Sequence, residues 1–219
     1  MAKPRFNESV FINCPFDTQY GAMLDAIVFA VHDCGYVARC AKELRDTGRA
    51  RIDKLLDLIG SCRFGIHDIS RTELDPINSL PRFNMPLELG LFLGARKFGR
   101  GRDQTKVCLV LDTEPYRYQK FCSDIAGQDP EPHKGEPLQA IRIVRDWLRA
   151  YSNFAMPGGA MMGKRYEAFR AALPTMCDDA QLEIGQVTFI DYTSLVVEWL
   201  RTNPGSGATA DGRASRPAA

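Results

Sequence analysis

The sequence predicts an α/β protein built on a parallel β-sheet with helices on both faces. Three observations carry that expectation. Between residues 9 and 111, short β-branched apolar runs alternate with longer stretches of helical periodicity, the pattern of parallel strands joined by helical crossovers. The run KVCLVL (106–111) is continuously apolar, as a strand covered on both faces is. The stretch RFNMPLELGLFLGA (82–95) is apolar or glycine from Met85 onward except at Glu88, which predicts a helix buried on most of its surface.

Taken in order, SVFIN (9–13) reads as a buried strand and runs into the turn CPFDTQY, where Asp17 or Thr18 can cap a helix. Residues 20–34 place Met23, Leu24, Ile27, Val28 and Val31 on one helical face, and Gly35 follows as a terminator. YVARC (36–40) is a second strand. Residues 52–62 repeat the helical spacing through Leu55, Leu56 and Ile59, and FGIHDI (64–69) is a third strand. In the apolar helix over 82–95, Asn84 stands as the N-cap and Pro86 falls in the first turn, where its missing N–H costs nothing. KVCLVL is the fourth strand. Beyond Asp112 the texture becomes turn-rich, a Gly-rich break occupies 156–162, and helices are predicted over 137–151, 164–177 and 187–201. The expected organisation is an α/β domain over 1–112, a connecting loop over 113–132, a helical appendage over 133–202 packed on the domain, and a disordered Gly/Ala/Ser-rich tail over 203–219.

Composition narrows the function classes. A formal net charge of +1 over 219 residues gives no general reason to expect nucleic acid or membrane binding. No apolar run approaches the roughly 18 residues of a membrane span, and the N-terminus lacks the apolar segment of a signal peptide. Seven cysteines without a C-x-x-C pair sit mostly in apolar runs, so they read as reduced thiols in a cytoplasmic protein. The three histidines have no metal-ligand spacing, so no metal site is expected.

In a parallel sheet, ligands collect beyond the carboxyl ends of the strands. That rule gathers Asp17, Arg39, Asp68, Ser70, Arg71, Asn84 and Glu88 into one cleft. Glu88 stands out, because a carboxylate in an otherwise apolar helix must be paired, protonated or turned to a cleft. Placed in the first turn it would also feel the positive end of the helix dipole. Its structural alternative is a bond to a neighbouring loop or to Arg82. Asp68 has its own alternatives as a cap or as a partner of Arg71. Arg39 and Arg71 can hold a phosphate or pair with carboxylates. His67, one residue before Asp68 on a strand, points to the other face and into helix packing. Ser70 lacks a nucleophile elbow, and no Gly-rich phosphate loop occurs, which disfavours a conventional dehydrogenase or NTPase.

A strand opening FIN with a Pro-Phe-Asp turn, a third strand ending Asp-Ile-Ser, and then N-x-P-x-E-L-G on a helix together resemble the TIR-like group of bacterial nucleotide-binding proteins. That group shares a flavodoxin-like architecture with nucleoside 2-deoxyribosyltransferases. The resemblance covers about residues 8–112. It implies a nucleotide ligand and cleavage of an N-glycosidic bond at a ribose, as in an NAD glycohydrolase, with Glu88 and Asp68 as catalytic residues. Glu88 would attack or stabilise the ribose C1′, and Asp68 would orient the ribose or Glu88. The binding set would comprise Phe16 stacked on the base, with Asp17, Arg39, Ser70, Arg71 and Asn84. No further cofactor is implied, since NAD or a related nucleotide is itself the substrate or ligand. The resemblance also implies a homo-oligomer on activation and a role as an effector in defence against phage. Two departures stand beside it: the loop from Arg71 to Phe83 is longer than in many relatives, and the acids Glu73 and Asp75 do not align with a second catalytic carboxylate. The alternatives are a non-catalytic nucleotide-binding or assembly module, with Trp147, Tyr151, Tyr192 and Trp199 either in an interface or in the core, and a nucleoside 2-deoxyribosyltransferase.

Overall fold

The computed structural model describes residues 4–74, 79–81 and 83–205. Asp75, Arg82 and the tail from 206 onward lie outside the described residues. The apolar β-branched runs pair as a five-stranded, all-parallel sheet. Its strands are β1 (Ser9–Asn13), β2 (Val37–Cys40), β3 (Phe64–Asp68), β4 (Val107–Asp112) and β5 (Glu131–Pro132), in the order β2-β1-β3-β4-β5. This is the flavodoxin-like order. Phe11 registers with Arg39 on one side and Gly65 on the other, while Asp68 registers with Leu111.

Among the described residues six α-helices complete the fold: α1 (Gly21–Asp33), α2 (Arg51–Gly60), α3 (Asn84–Phe98), α4 (Pro137–Ala150), α5 (Gly159–Asp179) and α6 (Phe189–Thr202). One core joins the sheet to α1 and α4, with α5 and α6 packed over them. The opposite face of the sheet is covered by α2 and α3.

The helix enclosed on all sides is α1, in which every residue from Ala26 to Val31 is fully buried. The sequence assigned that place to α3. Instead α3 buries Met85, Glu88, Leu89 and Phe92 and leaves Leu87 in solvent, because it forms an outer layer over the sheet while α1 lies between the sheet and a further layer. Gly65 sits where β3 meets α3. A Cβ there would lie 2.7 Å from the Phe92 ring and 2.8 Å from Nε2 of His67, so the small residue lets two rings close over the strand.

The chain does not divide at residue 112. Residues 131–132, expected within a loop, pair with Leu111 and Asp112 as the fifth strand, and α4 lies against α1 within the α/β layers. Only α5 and α6 form an added layer. A two-residue strand has no periodicity to read, which is why the sequence does not reveal it. The added layer is fastened to α1 by Arg165, whose guanidinium holds the Asp33 carboxylate in bonds of 3.0–3.2 Å, and by the hydroxyl of Tyr192 on the Asp25 carbonyl at 3.1 Å. Trp199 and Tyr192 are core residues beside Phe169. Trp147 packs edge-on against Phe64, and Tyr151, nearly half exposed, borders the same rings.

Candidate functional site

The β1→β2 connection carries α1 over one face of the sheet, and the β3→β4 connection carries α3 over the other. The carboxyl ends of β1 and β3 therefore flank a topological switch point, the place where open α/β sheets take their ligands.

Asp68 ends β3 at this point and is fully buried. Its Oδ1 accepts the backbone N–H of Ser70 at 2.8 Å, and its Oδ2 accepts the hydroxyl of Tyr20 at the start of α1. Burial, with the Asp68 charge next, pushes the Tyr20 hydroxyl well above its ordinary pKa and keeps it a donor. Nε2 of His133 lies 3.0 Å from the same Oδ2, off the direction of a hydrogen bond. His133 Nδ1 accepts the Gly135 N–H at 3.0 Å, which assigns its proton to Nε2, facing the carboxylate. Both oxygens of Asp68 are thus occupied from within the protein. Asp68 joins α1, the loop after β3 and the segment after β5; it is not presented to a cleft and does not pair with Arg71, as the sequence allowed.

A second buried acid, Asp112, ends β4. Its Oδ1 accepts Nε and Nη2 of Arg117 at 2.8 and 2.6 Å. The same guanidinium reaches the Ser70 carbonyl at 2.5 Å and the Thr72 hydroxyl at 2.8 Å. Arg117 therefore clamps the loop after β3 to the end of β4 and consumes the backbone of Ser70. Oδ2 of Asp112 is buried without a hydrogen-bond partner among the described residues.

Glu88 is different in kind. It lies on the inward face of α3, 8% exposed, and has no hydrogen bond or ion pair among the described residues. Burial pushes its carboxyl up to about 7, with the charge of Arg51 pulling the other way. The cap of α3 is Phe83, so Asn84 is the first helical residue rather than the N-cap, and no acidic residue stands in the first turn. Glu88 is the fifth residue and sits beyond the free N–H groups, so the dipole does not offset its desolvation. Glu88 and Asp68 both fall within electrostatic reach of the buried Cys14 thiol, where each acts to raise its pKa.

The remaining candidates separate. Asp17 accepts the Tyr20 N–H at 3.0 Å through Oδ1 and faces Arg71 at 3.3 Å through Oδ2. Arg71 also reaches Gln19 at 3.1 Å and Glu73 at 3.2 Å, so this pair forms the rim beside the switch point. Phe16 is half-buried on the β1 side, with the Lys42 ammonium 5.0 Å from its ring centre. Arg39 is not part of this region, contrary to the sequence reading. Its partner in the sheet is Phe11, whose side chain packs on α2. Arg39 accordingly chelates Glu43 and lines a surface groove of about 280 Å³ with Arg45, Arg49 and Lys54.

Besides Asp112, sequence reasoning missed four residues. Asn13 donates through Nδ2 to the Met85 carbonyl at 2.8 Å and lies 3.0 Å from Nδ1 of His67, tying β1, β3 and the start of α3 together. His67 is otherwise held between Phe11 and Phe92, in the helix packing expected of it. Tyr20, Arg117 and His133 are the others. Asp112 at a strand end, like Asp68, was a readable signal; His133, sixty-five positions from Asp68 in a turn-rich stretch, had none. Among the described residues no three His, Cys, Asp or Glu side chains are grouped for a metal ion, and no helix is long and apolar enough to cross a membrane.

No family model matches the chain, and no curated protein matches it. Among solved structures it is similar to the crystal structure of a diflavin flavoprotein A3 from Nostoc sp., at 15% identity over 90% of each chain and a TM-score of 0.30. So loose an overlap carries no argument about ligands, and the fold rests on the strand order above.

Proposed function

We propose that the protein binds a nucleotide at the switch point between β1 and β3 and hydrolyses its N-glycosidic bond, with NAD as the substrate to test. The observation that carries the reading is Glu88, an inward-facing carboxyl without a partner among the described residues whose burial brings it to titrate near neutrality. Groups poised in this way concentrate at functional sites. Cleavage passes through an oxocarbenium-like ribose that a carboxylate stabilises. The nicotinamide of NAD leaves from a cationic ring nitrogen, so its departure needs no general acid, and one ionised Glu88 suffices. Asp68 is a positioning residue in this scheme, since its oxygens are taken by Tyr20, Ser70 and His133. Arg71 and Asp17 at the rim, with Phe16, bear on the phosphate and base. Homo-oligomerisation on activation and a part in defence against phage rest on the TIR-like resemblance, and a cytoplasmic setting on the reading of the cysteines as reduced thiols.

The test is product analysis after incubating concentrated protein with NAD, beside Glu88→Gln. Nicotinamide release by the wild type that falls at least about 100-fold in the variant supports the assignment. Equal release by both moves the chemistry away from α3. The closure of Asp68 favours a second reading, a binding module without turnover. It predicts that NAD raises the thermal midpoint with no nicotinamide formed, and that Glu88→Gln leaves this shift in place.

A further inference from the structure

Among the described residues, nothing packs on the outward face of α3. Phe83, Leu87 and Phe98 are 67%, 56% and 84% exposed, and with Gly90, Leu91 and Gly94 they fall at helical spacing on one stripe. Glu88 points the other way, so Asn84 and Lys97 are the polar residues bordering this stripe. The loop leading into α3 exposes Leu74 and Leu80, and the neighbouring α2 exposes Ile52 and Leu56. Scattered apolar residues need no explanation, but a continuous apolar stripe marks an interaction surface.

Gly90 and Gly94 sharpen the reading. Glycine inside a helix costs about 1 kcal/mol against alanine. A Cβ at Gly90 would meet nothing within 4 Å, and one at Gly94 would meet only the Phe98 ring at 4.0 Å. The protein's own packing therefore does not require either glycine. What they permit is close approach of another backbone.

We infer that this face pairs with the same face of a second copy, the two α3 helices running antiparallel about a two-fold axis between Gly90 and Leu91. That placement sets Leu87 opposite Gly94 of the second copy, Gly90 opposite Leu91, Phe83 opposite Phe98, and Asn84 opposite Lys97. Each leucine meets a glycine, the end rings meet each other, and the ammonium meets an amide oxygen. Self-complementarity of this kind is what an isologous interface demands. At about 150–250 Å² for a large aromatic side chain and somewhat less for leucine, the exposed parts of Phe83, Leu87, Phe98 and Leu74 come to roughly 500 Å² per copy. A symmetric pair then hides roughly 1,000 Å², the threshold of a specific interface.

Sedimentation velocity of the full chain from low to high micromolar concentration tests the pairing. The wild type should form a concentration-dependent dimer, and Leu87→Glu and Gly90→Leu should each raise the dimer dissociation constant at least tenfold with unchanged circular dichroism. The orientation is read by oxidising an equimolar mixture of Leu87→Cys and Gly94→Cys. The mixture should give a cross-linked dimer that neither variant gives alone, because identical positions lie about 10 Å apart along the axis, too far for a disulfide. A wild type that stays monomeric throughout overturns the inference and leaves the face to a different protein. A dimer indifferent to Leu87→Glu also overturns it, and cross-linking of Leu87→Cys alone overturns the antiparallel register. None of these readouts depends on turnover of NAD.

Discussion

The raised pKa of Glu88 is a statement about stability as well as chemistry. Its carboxyl titrates near 7 in the folded protein against 4.5 as the ordinary value, so the folded state holds the proton more tightly than the unfolded chain. This contribution is fully present below about 4.5 and is lost as pH rises through 7. Glu88→Gln keeps the shape without the charge. It should therefore be more stable than the wild type by roughly 2–3 kcal/mol at pH 8 and nearly equal to it at pH 4.5, a difference urea unfolding at the two pH values resolves. A difference that does not change with pH would mean that Glu88 finds a partner on ionisation. The ionised form that the proposed chemistry uses is thus the less stable one, and turnover should rise with pH through about 7. Gly65 makes a contrasting case, in which geometry decides. With ring atoms 2.7–2.8 Å from the position of its missing Cβ, Gly65→Ala should cost about 1–3 kcal/mol by overpacking, read as a lowered urea midpoint at unchanged slope.

At the scale of elements, the joint between α5 and α1 rests on a buried ion pair. Arg165 makes three bonds to Asp33, and burial raises the Asp33 carboxyl despite that cation. Arg165→Met strands the carboxylate and should destabilise by about 3–5 kcal/mol, whereas adding Asp33→Leu should recover much of that loss; thermal unfolding of the two variants compares them, and equal losses would show that packing holds the joint. Such joints bear on how far the sequence could be read. The first four strands and the body of each helix were legible because local periodicity records which residues face inward, whereas the first turn of α5, from Gly159, was read as a glycine-rich break. The order of burial among the helices was not, since α1 and α3 are both rich in apolar residues and only the layer of α5 and α6 decides which one is enclosed. In the site, Asp68 and Glu88 were legible from their types and positions. The closure of Asp68 was not, because Tyr20 and His133 arrive from separate elements far along the chain. The detachment of Arg39 follows from a strand register that fixes which face it takes.

For the whole molecule, composition and texture divide the chain after residue 112, whereas the structure interleaves its two parts. β5 and α4 follow that boundary yet complete the sheet and its covering layer, and His133 sits against Asp68. The outer side of α1 is sealed by Phe169 and Trp199, which pack on Phe29. Removing α5 and α6 would expose a helix that is apolar on every side, and that surface has no solvated alternative. The chain should therefore unfold as one cooperative unit. Its two tryptophans report on different layers: Trp147 lies against Phe64 of the sheet, and Trp199 against Phe29 and Phe169. Single-tryptophan variants made with Trp147→Phe and Trp199→Phe convert the question into two fluorescence transitions. In each variant the fluorescence midpoint should coincide with the circular dichroism midpoint of the same protein. If Trp199 reports an earlier transition while the bulk helical signal persists, α5 and α6 are a separable cover, and the division read from the sequence is energetically real although the strands cross it.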